Sequence, residues 1–191
     1  EGLAANDELN RRAQEGAGLT RPELAVLLST AKLAIQAAAA QGRLGADPLM
    51  DAEVLAAFPP AMVAAHRDAI LAHQLRNEIV ATKVANRIVN RMGLIHPFEL
   101  AEEEGVGMHD VAEVFVVVEQ LFDLPALWAA IDNADITEPA RIQLYAEVAV
   151  EMRAHMADIL RNAIAERNLA QCVADLAPGI GQLDRESETL L

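Results

Sequence analysis

Residues 59–93 constrain the fold most, because they read as one continuous helix of about nine turns with apolar side chains on more than one side. From Pro60 the stretch carries Met62, Val63, Ile70, Leu71, Leu75, Ile79, Val80, Val84, Ile88, Val89 and Met92, with no proline or glycine to interrupt it. At about 100° per residue, Val63, His66, Ile70, Asn77, Ala81, Val84, Ile88 and Met92 share one face, while Leu71, Leu75, Ile79 and Val89 lie well round the cylinder. A helix apolar on two faces needs neighbours on both. The expected fold is therefore all-α, a multi-helix bundle around this one long central helix.

Composition supports helix over sheet. Hydrophobic residues make up 53% of 191, but aromatics only 3%, so the core must be built from aliphatic side chains and closely approaching helices. Fifteen basic residues against 29 acidic ones give a formal charge of −14, a field that a nucleic-acid backbone would repel. The single Cys172 cannot form an internal disulfide. No run reaches about 18 uninterrupted apolar residues, and none has the form of a signal peptide. These features predict a cytoplasmic chain with neither nucleic acid nor membrane as partner. The opening at Glu1, without an initiator methionine, suggests a piece of something longer.

Along the chain, residues 1–18 are polar and predict a linker or frayed helix, residues 19–183 a helical domain, and residues 184–191 a loose tail. Order begins at Thr20, which with Arg21, Pro22 and Glu23 forms a capping box. The helix it starts should bury Leu24, Leu27, Leu28, Ala31, Ile35 and Ala38, and end at Gly42 in left-handed geometry. A short helix is expected over residues 51–57, another over 98–104, and a longer one over 109–122. That longer one packs through Val111, Val114, Phe115, Val118, Leu121 and Phe122; its valine run could pass for a strand, but the i, i+3, i+4, i+7 spacing favours helix. Pro125 starts a helix carrying Trp128 and Ile131. Thr137 and Pro139 start the last long one, with a seam of Ile142, Tyr145, Ala149, Met152, Met156, Ile159 and Ala163. A further short helix over 169–176 should stop at Pro178-Gly179.

Few residues suggest chemistry. Gly179-Ile180-Gly181 lacks the strand and the third glycine of a dinucleotide-binding turn, so it reads as a terminating turn. His66, His73, Glu151 and His155 could meet in a bundle core, but the Glu-x-x-His spacing of di-metal bundles is missing, so they read as ordinary histidines. Asn77, in the middle of an apolar face, reads as a buried, hydrogen-bonded amide. Residues 98–122 resemble a helix-turn-helix in packing, yet the would-be reading helix offers Asp110, Glu113 and Glu119 and no cation. Cys172 has no local signature of a nucleophile. Basic charge gathers on the central stretch, where Arg76, Lys83 and Arg87 share a side; they read either as a face solvated or paired with the chain's own acids, or as a docking face for another domain.

Four stretches are more specific: GLTRPELAVLLSTAKLAI (residues 18–35), FPPAM (58–62), HQLRNEIVATKVANRIVNRMG (73–93) and LFDLPALWAAID (121–132). Together, and in this order, they resemble the C-terminal helical region of the large bacterial NAD-specific glutamate dehydrogenases. The resemblance implies a parent enzyme that converts L-glutamate and NAD to 2-oxoglutarate and ammonia. It also implies that the glutamate pocket, the catalytic lysine and aspartate, and the nicotinamide fold lie upstream of the region matched. No residue here corresponds to them, so the resemblance gives this region no catalytic, cofactor-binding or metal-binding residue. Its implied partners are the upstream catalytic domain of the same chain and further copies in a homo-oligomer, and its implied role is folding, assembly or regulation. The competing reading is a freestanding helical interaction or scaffold protein.

Overall fold

A computed structural model describes residues 3–162 and 168–188. Among them are ten α-helices and no strand, so the all-α expectation holds. The helices are α1 (Asn6–Gln14), α2 (Arg21–Gln41), α3 (Asp51–Leu55), α4 (Pro60–Leu71), α5 (Arg76–Met92), α6 (His96–Glu104), α7 (Met108–Leu121), α8 (Leu124–Asn133), α9 (Glu138–Asn162) and α10 (Leu169–Glu188).

The long helix expected over residues 59–93 is two helices. Ala72 and Leu75 leave the helical region at the junction, and His66 already kinks α4 with φ −137°. Two local contacts stabilise the break: the His73 ring accepts from the Leu75 amide through Nδ1 at 3.1 Å, and Arg76 donates to the Leu71 carbonyl at 3.3 Å. An arginine on the last carbonyls of α4 satisfies acceptors that a continuing helix would have satisfied by itself. The second half of the stretch, α5, does pack against α2, α3, α6, α7 and α9, but α7 is the more deeply buried helix. Every residue from Val111 to Glu119 of α7 is buried, and α7 packs against α2, α5, α6, α8, α9 and α10. A helix buried all round is the bundle's core element. By contrast α5 buries one stripe, formed by Val80, Ala81, Val84, Ala85, Ile88, Val89 and Met92.

The capping box of α2 forms as the sequence predicts: the Glu23 amide donates to Thr20 Oγ1 at 3.5 Å and the Thr20 amide to Glu23 Oε2 at 2.7 Å. Its apolar stripe is displaced, however. Ala31, Ile35 and Ala39 are buried against α5 and α7, while Leu24 and Leu28 are exposed. Small residues let the α2 backbone come close to its neighbours. Gly42, expected in left-handed geometry, instead has φ −79°. Its glycine is required by crowding, because a Cβ there would sit 2.9 Å from Glu113 Oε1.

Two 3-10 turns, Leu44–Ala46 and Pro48–Met50, carry the chain from α2 to α3 and bury Leu44, Gly45 and Met50. Between them Asp47, also buried, accepts from the Leu49 amide at 2.9 Å and from the Leu169 amide at 2.8 Å. That second bond caps α10 from 122 residues away. Nor does α10 stop at Pro178-Gly179; it runs through Pro178 to Glu188. On α9, Ala149, Met152 and Met156 are buried and Tyr145 and Ile159 pack partly against the core, so the seam faces its own chain; Ile142 is exposed and Ala163 lies outside the described residues.

Candidate functional site: arginine clasps around a buried helix

A carboxylate inside an apolar helix is costly unless a cation meets it. Helix α7 holds two, Glu113 and Glu119, at 1% and 2% exposure. Their six-residue spacing sets them about 120° apart around the helix, and a different arginine reaches each. Arg43, just past α2, donates to Glu113 through Nη2 at 2.6 Å and Nε at 3.0 Å, and its backbone amide adds a bond of 2.6 Å. The carboxylate in turn raises the Arg43 guanidinium's hold on its proton. Arg87 of α5 grips Glu119 with Nε at 2.9 Å and Nη2 at 3.1 Å. Burial pushes the Glu119 carboxyl above its usual range, and the charge and hydrogen bonds of Arg87 pull it back.

Arg87 also donates to Glu53 of α3 at 2.7 Å, and Lys83 reaches the same carboxylate at 3.3 Å. Arg76 is tied to Asp51 at 2.7 Å, to the Asp47 carbonyl at 3.1 Å and to the Gly45 carbonyl. Arg76, Lys83 and Arg87 thus do share a side of α5, and each is joined to carboxylates of α3 or α7, with side-chain exposures of 14%, 32% and 26%. Arg91 continues the row. Its guanidinium lies 4.9 Å from the Trp128 ring centre and 5.0 Å from that of Tyr145, and 3.5 Å from Asp132. Tyr145 donates its hydroxyl to Asp132, and that bond is the main cause holding the Asp132 carboxyl below its ordinary range.

These groups wall an open groove of about 600 Å³, lined among others by Glu53, Arg87, Arg91, Glu119, Trp128 and Asp132. Each charged group in it already has an opposite charge in contact. Such an arrangement fixes helices relative to one another.

The other candidates are scattered. His66 is exposed, His73 packs on Phe58 at 5.7 Å, and His155 stacks on Phe122 at 4.3 Å. Among the described residues no group of three or more His, Cys, Asp or Glu could hold a metal ion. Asn77, expected to be buried, is exposed. It abuts Gly45, where a Cβ would fall 1.9 Å from its Oδ1, so the pair marks a close approach of α5 to the first 3-10 turn. Cys172 is buried. Sequence reasoning missed Glu53, Arg91 and the clasps on Glu113 and Glu119. The available signal was two acids inside the apolar run of residues 111–119, which require cationic partners.

A family model described as "Glutamate dehydrogenase, C-terminal" matches residues 16–191. The chain is 33% identical, over 191 residues, to an NAD-specific glutamate dehydrogenase of Pseudomonas aeruginosa, covering 99% of this chain and 12% of the relative. It is 35% identical over 141 residues to the protein of that name from Halomonas elongata, covering 74% and 9%. The corresponding Mycobacterium tuberculosis protein is 32% identical over 136 residues, covering 71% and 8%. The chain therefore spans about a tenth of the length of these curated relatives. By the match over residues 16–191, this chain belongs to the glutamate dehydrogenase C-terminal family.

Proposed function

We propose that the chain is the C-terminal helical region of an NAD-dependent glutamate dehydrogenase, and that it supports the enzyme's folding and assembly while the chemistry is done elsewhere. The whole enzyme would oxidise L-glutamate with NAD to 2-oxoglutarate and ammonia, in the cytoplasm and as a homo-oligomer. The observation that carries this reading is the family match over residues 16–191, set beside relatives that are NAD-specific glutamate dehydrogenases of far greater length. The local geometry supports the division of labour, since the buried carboxylates Glu113 and Glu119 are each held by an arginine and serve to fix α7.

The test is a paired measurement. The full-length polypeptide containing this region is expected to reduce NAD in the presence of L-glutamate, and residues 1–191 alone to neither turn over glutamate nor release heat on titration with NAD. Turnover by the isolated region, or micromolar NAD binding to it, would refute the division. An inactive full-length polypeptide would refute the enzyme reading.

A further inference from the structure

Between the first half of α2 and the turn joining α5 to α6 lies an apolar groove of about 360 Å³, walled by Leu19, Leu24, Leu27, Leu94, Ile95 and Phe98 among others. Three of these are large and open to solvent: Ile95 is 65% exposed, Leu24 44% and Phe98 38%. Scattered exposed leucines need no explanation, but large apolar side chains converging on one groove mark a surface that something covers. Helix α2 gives the same indication. It buries only Ala31, Ile35 and Ala39 of its apolar residues, while Leu24 and Leu27, on the groove side, are exposed or half-buried. A helix apolar beyond its buried stripe has a second neighbour.

We propose that this groove seats an amphipathic helix from the part of the same polypeptide that lies outside residues 1–191, an inference that rests on the reading of the chain as one region of a longer enzyme. The matched stretch is only 12% of the Pseudomonas aeruginosa relative, so a chain of that kind has ample sequence to supply the helix. The fold also brings the leading residues to the groove. Glu23, in the first turn of α2 and next to Leu24, accepts from the Ala4 amide at 3.2 Å and from Arg12 of α1 at 2.9 Å, so residues 3–14 are anchored at the groove's edge. A segment of the same polypeptide docks there at the high effective concentration of a tethered partner. Aliphatic anchors at i, i+3 and i+4 are the form that fits walls of leucine, isoleucine and phenylalanine.

Other occupants fit less well. Thr30 is the one polar side chain among the groove's walls, too little to orient a small molecule. The region's charge of −14 opposes an anionic lipid surface, and a second copy seated in the groove would give a crosslinked product of doubled mass. By length and composition α2 could cross a bilayer, but Ile35 and Ala39 are in the core of the bundle.

The test uses the full-length polypeptide with Phe98 replaced by the photo-crosslinker p-benzoylphenylalanine, a larger aromatic placed at an exposed position. Irradiation should give a product of monomer mass on a denaturing gel, linked on peptide mapping to a segment outside residues 1–191. Adding Ile95→Glu should abolish that link, because it places a charge in the groove without touching the core. A product of doubled mass, a link confined to residues 1–191, flotation with anionic vesicles, or no product would each overturn the proposal, as would a link undiminished by Ile95→Glu. Glutamate-dependent NAD reduction on the same preparation separates the two readings. Turnover without the link refutes the groove alone, and the link without turnover refutes the enzyme reading alone.

Discussion

Arg87 joins three helices through one guanidinium, with Glu53 of α3 on one side and Glu119 of α7 on the other. The fork of an arginine suits this, since its donors diverge in a plane and can serve two carboxylates at once. Removing it would leave Glu119 buried and without its cation, which typically costs about 3–5 kcal/mol. Arg87→Ala is therefore expected to lower the urea midpoint of residues 1–191 severely, and Glu119→Gln much less, because a neutral amide loses the attraction and the burial cost together. The pH dependence has a definite sign. Burial raises the Glu119 carboxyl in the folded chain above its ordinary 4.5, so between those two values the folded state binds more protons than the unfolded one. Its contribution to stability is full below the unfolded value and declines as pH climbs through the folded one. Glu119→Gln should remove that decline from a urea-stability profile taken across the acid range; an unaltered profile would show that Glu119 titrates normally.

The contact between α1 and α2 runs the other way with pH. Glu23 is held down at about 2, from an ordinary 4.5, first by the Thr20 amide and hydroxyl and then by the Ala4 amide and Arg12. A depressed carboxyl contributes stability above its unfolded value and loses it as pH falls through the folded one. Since α1 buries no residue of its own, this carboxylate is its main attachment, and α1 should detach between about pH 4.5 and pH 2 while α5 and α7 remain folded. Amide exchange by NMR can check this: protection of the α1 amides should fall in that window, and protection persisting below pH 2 would refute it. The half of this device that lies within four residues, Thr20 with Glu23, was legible in the sequence because a capping box is a local pattern. So was the helical state of α7, from its spacing. What could not be read were features set by partners far along the chain. Gly42 answers to Glu113, the break after Leu71 involves an Arg76 held by the Gly45 and Asp47 carbonyls, and the start of α10 is capped by Asp47. Periodicity also ran α4 and α5 together, because the break between them involves groups elsewhere in the chain. The charged residues were visible as types; their pairing was not.

On the scale of the whole molecule, α7 is the axle, and its two carboxylates tie it to two helices that also pack on each other: Glu113 to Arg43 at the end of α2, Glu119 to Arg87 on α5. If these helices fold as one unit, damage at one clasp must be felt on every side of α7. The chain provides a reporter on another side of α7. Trp128, its one tryptophan, is 4% exposed on α8 and stacks on Phe115 of α7 with ring centres 6.4 Å apart, while Glu113 points to the α2 side. Glu113→Gln weakens the pairing with Arg43 and should cost about 1–3 kcal/mol. In a single cooperative unit this loss moves every probe together. Trp128 fluorescence and far-ultraviolet circular dichroism should therefore shift to a lower urea midpoint by the same amount, each in one transition. A Trp128 midpoint unchanged from the parent, with a second step in the dichroism, would show instead that α2 melts by itself and that α7 does not couple its neighbours.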